Sequence, residues 1–162
     1  MTDHVDRVMA QWRRERPDLD PAPQGVIARL HRIANRLTEE LVAVYASHGL
    51  AEGEFDILAT LRRQGAPYAL TAGELAAQTM VTSGAITKRV DRCLARGWVS
   101  RSPSDIDARG RVIALTEEGR ALIDAAFADH LANEHRLLRL FDDADRELLA
   151  ALLARWSEEL DL

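Results

Sequence analysis

Residues 70–101 read LTAGELAAQTMVTSGAITKRVDRCLARGWVSR, and the fold turns on them. Thr71-Ala72-Gly73-Glu74 fits a capping box, in which a hydroxyl and a carboxylate satisfy the unpaired N–H groups at a helix start. A short helix therefore runs from here to about Thr79. After Met80-Val81 comes a second start signal, Thr82 or Ser83, opening a basic helix that ends at Gly97. A short helix, a tight turn and a basic helix in succession make a helix-turn-helix candidate.

Within the basic helix Ile86, Val90, Cys93 and Leu94 share one face by the 3.6-residue period and must pack inward. Ser83, Gly84, Thr87, Lys88, Asp91 and Arg92 share the other. That outer face suits a major groove: small residues at its start allow close approach, Thr87 and Lys88 reach base edges, and Arg92 reaches phosphate. Arg89 differs, because it sits beside Ile86, Val90 and Cys93 and points toward the protein body. A charge taken from water needs an anionic partner. Asp56, the carboxylate among the apolar residues of EFDILATL (54–61), is a match, either as a structural ion pair or as part of a ligand site.

Outward from the basic helix, two β-like runs, Trp98 to Arg101 and Arg111 to Leu115, flank an insert of Ser, Pro, Asp and Gly whose only basic residue is Arg109. They form a hairpin. Upstream, residues 1–16 form a short amphipathic helix with Val5, Val8, Met9 and Trp12 on one side, broken by Pro17, Pro21 and Pro23. A long helix follows from about Gly25 to His48, with Ile27, Leu30, Ala34, Leu37, Leu41 and Val44 in one stripe. Another spans about Glu52 to Arg63. Downstream, Thr116 caps a helix to about Leu140, and Asp142 or Asp143 starts a last one, Ala144 to Leu160, rich in leucine. The long first helix and the last two carry more apolar stripe than so small a block could cover, which points to a helical dimer interface built from both chain ends.

The formal net charge is -5 and the isoelectric point is near 5.5, which looks wrong for a nucleic-acid binder until the distribution is considered. Thr82 to Arg111 holds seven basic and three acidic residues; the rest of the chain holds fourteen and twenty-three. One basic patch can attract phosphate while the acidic remainder limits indiscriminate binding. No stretch has the roughly 20 apolar residues of a membrane span, and the N-terminus lacks a signal peptide's apolar core, so a soluble cytoplasmic protein is expected. The single Cys93 excludes an intrachain disulfide, and its place on the packed face argues for structure over a thiol switch. There is no glycine-rich phosphate loop and no G-x-S-x-G, and His4, His31, His48, His130 and His135 are scattered, so neither enzyme, metal nor cofactor is expected.

The motif at 70–101, followed by Asp107-Ala108-Arg109 and then Val112-Ile113-Ala114-Leu115-Thr116-Glu117-Glu118-Gly119, resembles the MarR family of winged helix-turn-helix regulators over nearly the whole chain. The resemblance implies a homodimer that offers recognition helices to the major grooves of a palindromic operator and a wing arginine to the adjacent minor groove. Arg109 takes that role, with Asp107 orienting it. The usual D-R-R is D-A-R here, with Arg111 available for the missing basic residue. A narrower resemblance is to the urate-responsive branch, which implies a ligand site of Trp12, Asp56, Arg89 and Arg101: an aromatic plane, a carboxylate and two guanidinium groups that fork onto anionic oxygens. The block is also similar to regulators that respond to trans-aconitate and citrate.

The expectation is thus a mainly α chain with a small β-hairpin wing, a single subunit in three stretches. These are 1–48 for the N-terminal extension and dimerisation helix, 52–116 for the winged helix-turn-helix, and 117–162 for the C-terminal dimerisation helices. Its function is that of a repressor released from DNA by a small anionic metabolite. The alternatives are a redox-responsive regulator acting through Cys93 and a ligand-independent DNA-binding protein.

Overall fold

The computed structural model describes residues 2–79, 83–103 and 111–161, without the side chains of 83–85. The elements are α1 (His4–Glu15), α2 (Gln24–Ser47), α3 (Glu52–Arg63), β1 (Ala69–Thr71), α4 (Ala72–Gln78), α5 (Ser83–Ala95), β2 (Val99–Pro103), β3 (Arg111–Leu115), α6 (Glu117–Leu137) and α7 (Asp143–Glu159). The chain divides into two compact units, residues 1–43 and 44–162, and the boundary falls inside α2. Among the described residues no helix is long and apolar enough to cross a membrane.

In the N-terminal unit Asp3 caps α1 by accepting the Asp6 N–H, and Val5 and Met9 are buried. Arg29 of α2 fastens the two helices, donating to Asp3 at 2.8 Å and to Asp6 at 2.6 Å. Its guanidinium holds the Asp3 carboxyl well below the usual carboxylate range. Trp12, expected on the apolar side with Val5 and Met9, is 47% exposed.

The larger unit is built around apolar residues drawn from every element of the helix-turn-helix. Ile57, Leu58 and Leu61 of α3, Leu75 of α4, Val90 and Cys93 of α5, Ile113 of β3 and Ile123 of α6 are almost completely buried. Each large aliphatic among them contributes roughly 1.5–3 kcal/mol of transfer free energy. The Thr71 capping box is present as expected: the Thr71 hydroxyl accepts the Glu74 N–H, and Glu74 accepts the Thr71 N–H at 2.8 Å. At the other end of the motif α5 closes in a Schellman turn, with Gly97 at φ 74°, Gly97 N–H on the Leu94 carbonyl and Trp98 N–H on the Cys93 carbonyl.

The wing differs from the expected two-stranded hairpin. The sheet has three strands in the order β1-β3-β2, all antiparallel, with Leu70 opposite Ile113 and Arg101 also opposite Ile113 on the other side. Three residues are too few to show the period-2 alternation that marks a strand, and Thr71 belongs both to β1 and to the cap of α4. Pairing with β3, a contact distant in sequence, decides β1. Thr116 then caps α6, accepting the Gly119 N–H and donating to the Gly97 carbonyl. Gly119 is required there, because a Cβ would run into the Trp98 carbonyl. The helix ends at Leu137, three residues before the expected Leu140, and Asp142 caps α7.

Candidate functional site

The outward and inward faces of α5 divide as the period requires. Ile86, Val90 and Cys93 are buried, Leu94 is half-buried, and Thr87, Lys88, Asp91 and Arg92 are exposed. The side chain of Ser83 and the exposure of Gly84 lie outside what the structure describes, as do Asp107 and Arg109 at the wing tip and the cap candidate Thr82. Arg111, at the start of β3, is exposed.

Two neighbouring residues fix α5 in opposite directions. Asp91 accepts from Arg101 Nη2 of β2 at 2.8 Å, and Arg92 donates its Nε to Glu54 of α3 at 2.9 Å. The Arg101–Asp91 pair is largely solvent-exposed, which limits it to about 0–1 kcal/mol. The Glu54 side chain is only 8% exposed. Its second oxygen accepts the Ala51 N–H at 2.9 Å, so one buried carboxylate joins the entrance of α3 to the DNA-facing helix. Arg92 was expected to reach phosphate; the structure commits its Nε to Glu54 and leaves the side chain 53% exposed.

Arg89 does turn inward and is half-buried, but the Asp56–Arg89 ion pair does not form. Among the described residues neither side chain makes a hydrogen bond or ion pair, although each lies within the other's electrostatic reach. Burial raises the Asp56 carboxyl above its ordinary value, against the opposing pull of Arg63 and Arg89. Arg89 instead lies over the first turn of α3: a Cβ on Gly53 would come within 2.6 Å of Arg89 Cδ and 2.5 Å of Cζ. The carboxylate that does pair with α5 is Glu54, two residues before Asp56. Sequence reasoning gave no role to Glu54, Gly53 or Asp91, and the usable signal for Glu54 was its place three residues after Ala51, the residue that precedes the helix.

Of the four residues expected around a ligand, the structure brings Asp56 and Arg89 together, ties Arg101 to Asp91, and places Trp12 in the N-terminal unit. A groove of about 430 Å³ between α3 and α6, lined by Ala59, Arg62, Arg63, Ile123, Asp124 and Phe127, contains none of them. Cys93 is fully buried, and burial followed by the nearby Glu54 charge pushes its thiol up to about 12. Among the described residues no group of three His, Cys, Asp or Glu side chains could hold a metal ion.

The arrangement of helices and wing is that of known regulators. A model of the MarR family matches residues 48–110. The HTH-type transcriptional regulator PecS of Dickeya dadantii is 40% identical over 156 residues, covering 96% of this chain and 94% of that one. Among solved structures, AbsC, a MarR family transcriptional regulator from Streptomyces coelicolor, aligns with a TM-score of 0.73 at 26% identity, over 82% of this chain and 90% of that one. Sco3205 of the same organism, solved in complex with DNA, aligns with a TM-score of 0.79 at 21% identity, over 89% and 91%. With an exposed basic face on α5, a wing beside it and a relative that matches along nearly its whole length, this chain belongs to the MarR family, and it is a DNA-binding transcriptional regulator and not an enzyme.

Proposed function

We propose that the protein is a homodimeric repressor of a palindromic operator, released by a small anionic metabolite that binds at Arg89. The observation that carries this reading is Arg89 itself, a half-buried guanidinium on the inner side of the recognition helix with no hydrogen bond or ion pair among the described residues. It lies over Gly53 in the first turn of α3. An anion there would satisfy Arg89, face the repulsion of Asp56, and act on α5 directly. Because a dimer must present two such helices to grooves spaced about 34 Å apart, a ligand that favours a different spacing weakens binding.

A urate-like purine and a tricarboxylate such as trans-aconitate or citrate are the two candidate ligands. Arg89 and Arg101 would fork onto the ligand's oxygens, and the carboxylate of Asp56 would repel them. Arg101 can do so only in competition with Asp91, 2.8 Å away, and that competition would loosen the wing from the recognition helix. On the DNA side Ser83, Gly84, Thr87 and Lys88 would meet the major groove, Arg92 and Arg111 the backbone, and Arg109, oriented by Asp107, the minor groove. The thiol alternative is disfavoured by the burial and raised pKa of Cys93.

The test is a gel shift on the promoter beside the protein's own gene with urate, trans-aconitate and citrate titrated in turn. Dissociation of the complex by one of them at micromolar to millimolar concentration is expected. A complex that survives all three would leave a ligand-independent DNA-binding protein.

A further inference from the structure

We infer that Glu54 is a positioning residue for DNA binding, holding Arg92 so that its two outer amino groups are presented to a phosphate. The inference rests on α5 being the helix that enters the groove. Glu54 is buried, yet it is not spare: one oxygen accepts the Ala51 N–H at 2.9 Å and the other accepts Arg92 Nε at 2.9 Å. Guanidinium is a planar fork of five donors, so fixing Nε fixes the plane. Both Nη groups are left without a partner among the described residues, on a side chain 53% exposed.

A buried carboxylate stripped of its cation is strongly disfavoured, so the fold itself keeps Arg92 in this rotamer before DNA arrives. An arginine held in place loses less side-chain freedom on binding than one that waves in solvent. Asp91, the preceding residue, is pulled toward β2 by Arg101, so the backbone that carries Arg92 is braced from the wing side as well.

The experiment measures affinity for the same promoter duplex by fluorescence anisotropy across a potassium chloride series, for the full chain and for Glu54→Gln, Arg92→Ala, their double variant and Lys88→Ala. Glutamine has the shape of glutamate but a single acceptor oxygen, so it cannot serve both Ala51 and Arg92. Arg92→Ala and Glu54→Gln should each weaken binding by roughly tenfold and lower the slope of log affinity against log salt by about 1, the mark of one lost phosphate contact. The double variant should be no weaker than Arg92→Ala. Wild-type affinity and slope in Glu54→Gln, or losses that add in the double variant, overturn the inference while leaving the assignment of α5 intact. A Lys88→Ala variant with wild-type affinity overturns the assignment of α5, and the inference with it. Should Glu54→Gln fail the thermal unfolding check, Arg92→Lys replaces it: an ammonium keeps the charge for Glu54 but has no fork left over, so a roughly tenfold loss supports the inference and wild-type affinity overturns it.

Discussion

Gly53 and Arg89 show how much chemistry depends on a missing side chain. Only glycine in the first turn of α3 lets the guanidinium lie on the helix backbone, where Asp56 feels it without pairing to it. That Arg89 points inward was legible from its place beside Ile86, Val90 and Cys93. Which carboxylate meets α5 was not, since Glu54 and Asp56 lie on nearly opposite sides of α3 and tertiary packing decides which side Arg92 reaches. The raised carboxyl of Asp56 has a stability consequence. A group whose folded pKa lies above its unfolded value binds more protons in the folded state between the two, so its contribution falls as pH rises through that window. Asp56→Asn should therefore raise the melting temperature at neutral pH, and the gain should shrink as pH falls toward the ordinary aspartate value of 3.8. Thermal unfolding from pH 3.5 to 7.5 reads this; a gain independent of pH would mean that burial of the charge is not the cause.

At the scale of elements, the starts of α4, α6 and α7 were legible because each carries its own capping residue. Thr71 with Glu74, Thr116 and Asp142 all cap as their residue types require. Strand β1 was hidden, since nothing local marks Ala69 to Thr71 as extended apart from the partner strand that arrives more than forty residues later. The run Leu115-Thr116-Glu117-Glu118-Gly119 gains a physical meaning from the structure. Its threonine stops β3 and starts α6, and its glycine lets the first turn of α6 lie against the Trp98 carbonyl at the base of the wing. Gly119→Ala should force that turn away from backbone that cannot yield, costing about 1–3 kcal/mol, read by urea unfolding. A cost below about 0.5 kcal/mol would show that the α6–wing junction is looser than its geometry indicates.

For the whole molecule, the excess of apolar surface foreseen from the stripes is present: α7 has no buried residue, and Leu148, Leu152 and Leu160 are 60%, 46% and 56% exposed. The long helix α2 likewise leaves Val26, Ile27 and Ile33 in solvent. Faces of this kind on one chain fit a second copy. Leu152→Glu should leave the subunit folded, since Leu152 supports none of its core, and should yield monomers in sedimentation; dimers unchanged by it would place the interface elsewhere. The family and the fold were legible in the order of cap, basic helix, hairpin and leucine-rich end, whereas the way Glu54, Arg92, Asp91 and Arg101 share out their charges depended on three elements meeting. Control of the DNA-binding helix by an anion at Arg89 is read by titrating urate into the promoter complex of the wild-type chain and of Arg89→Ala and following anisotropy. Urate should dissociate the wild-type complex, whereas Arg89→Ala should still bind DNA but resist release up to at least tenfold more ligand, the loss of one charged hydrogen bond; equal release of both complexes would contradict control through Arg89.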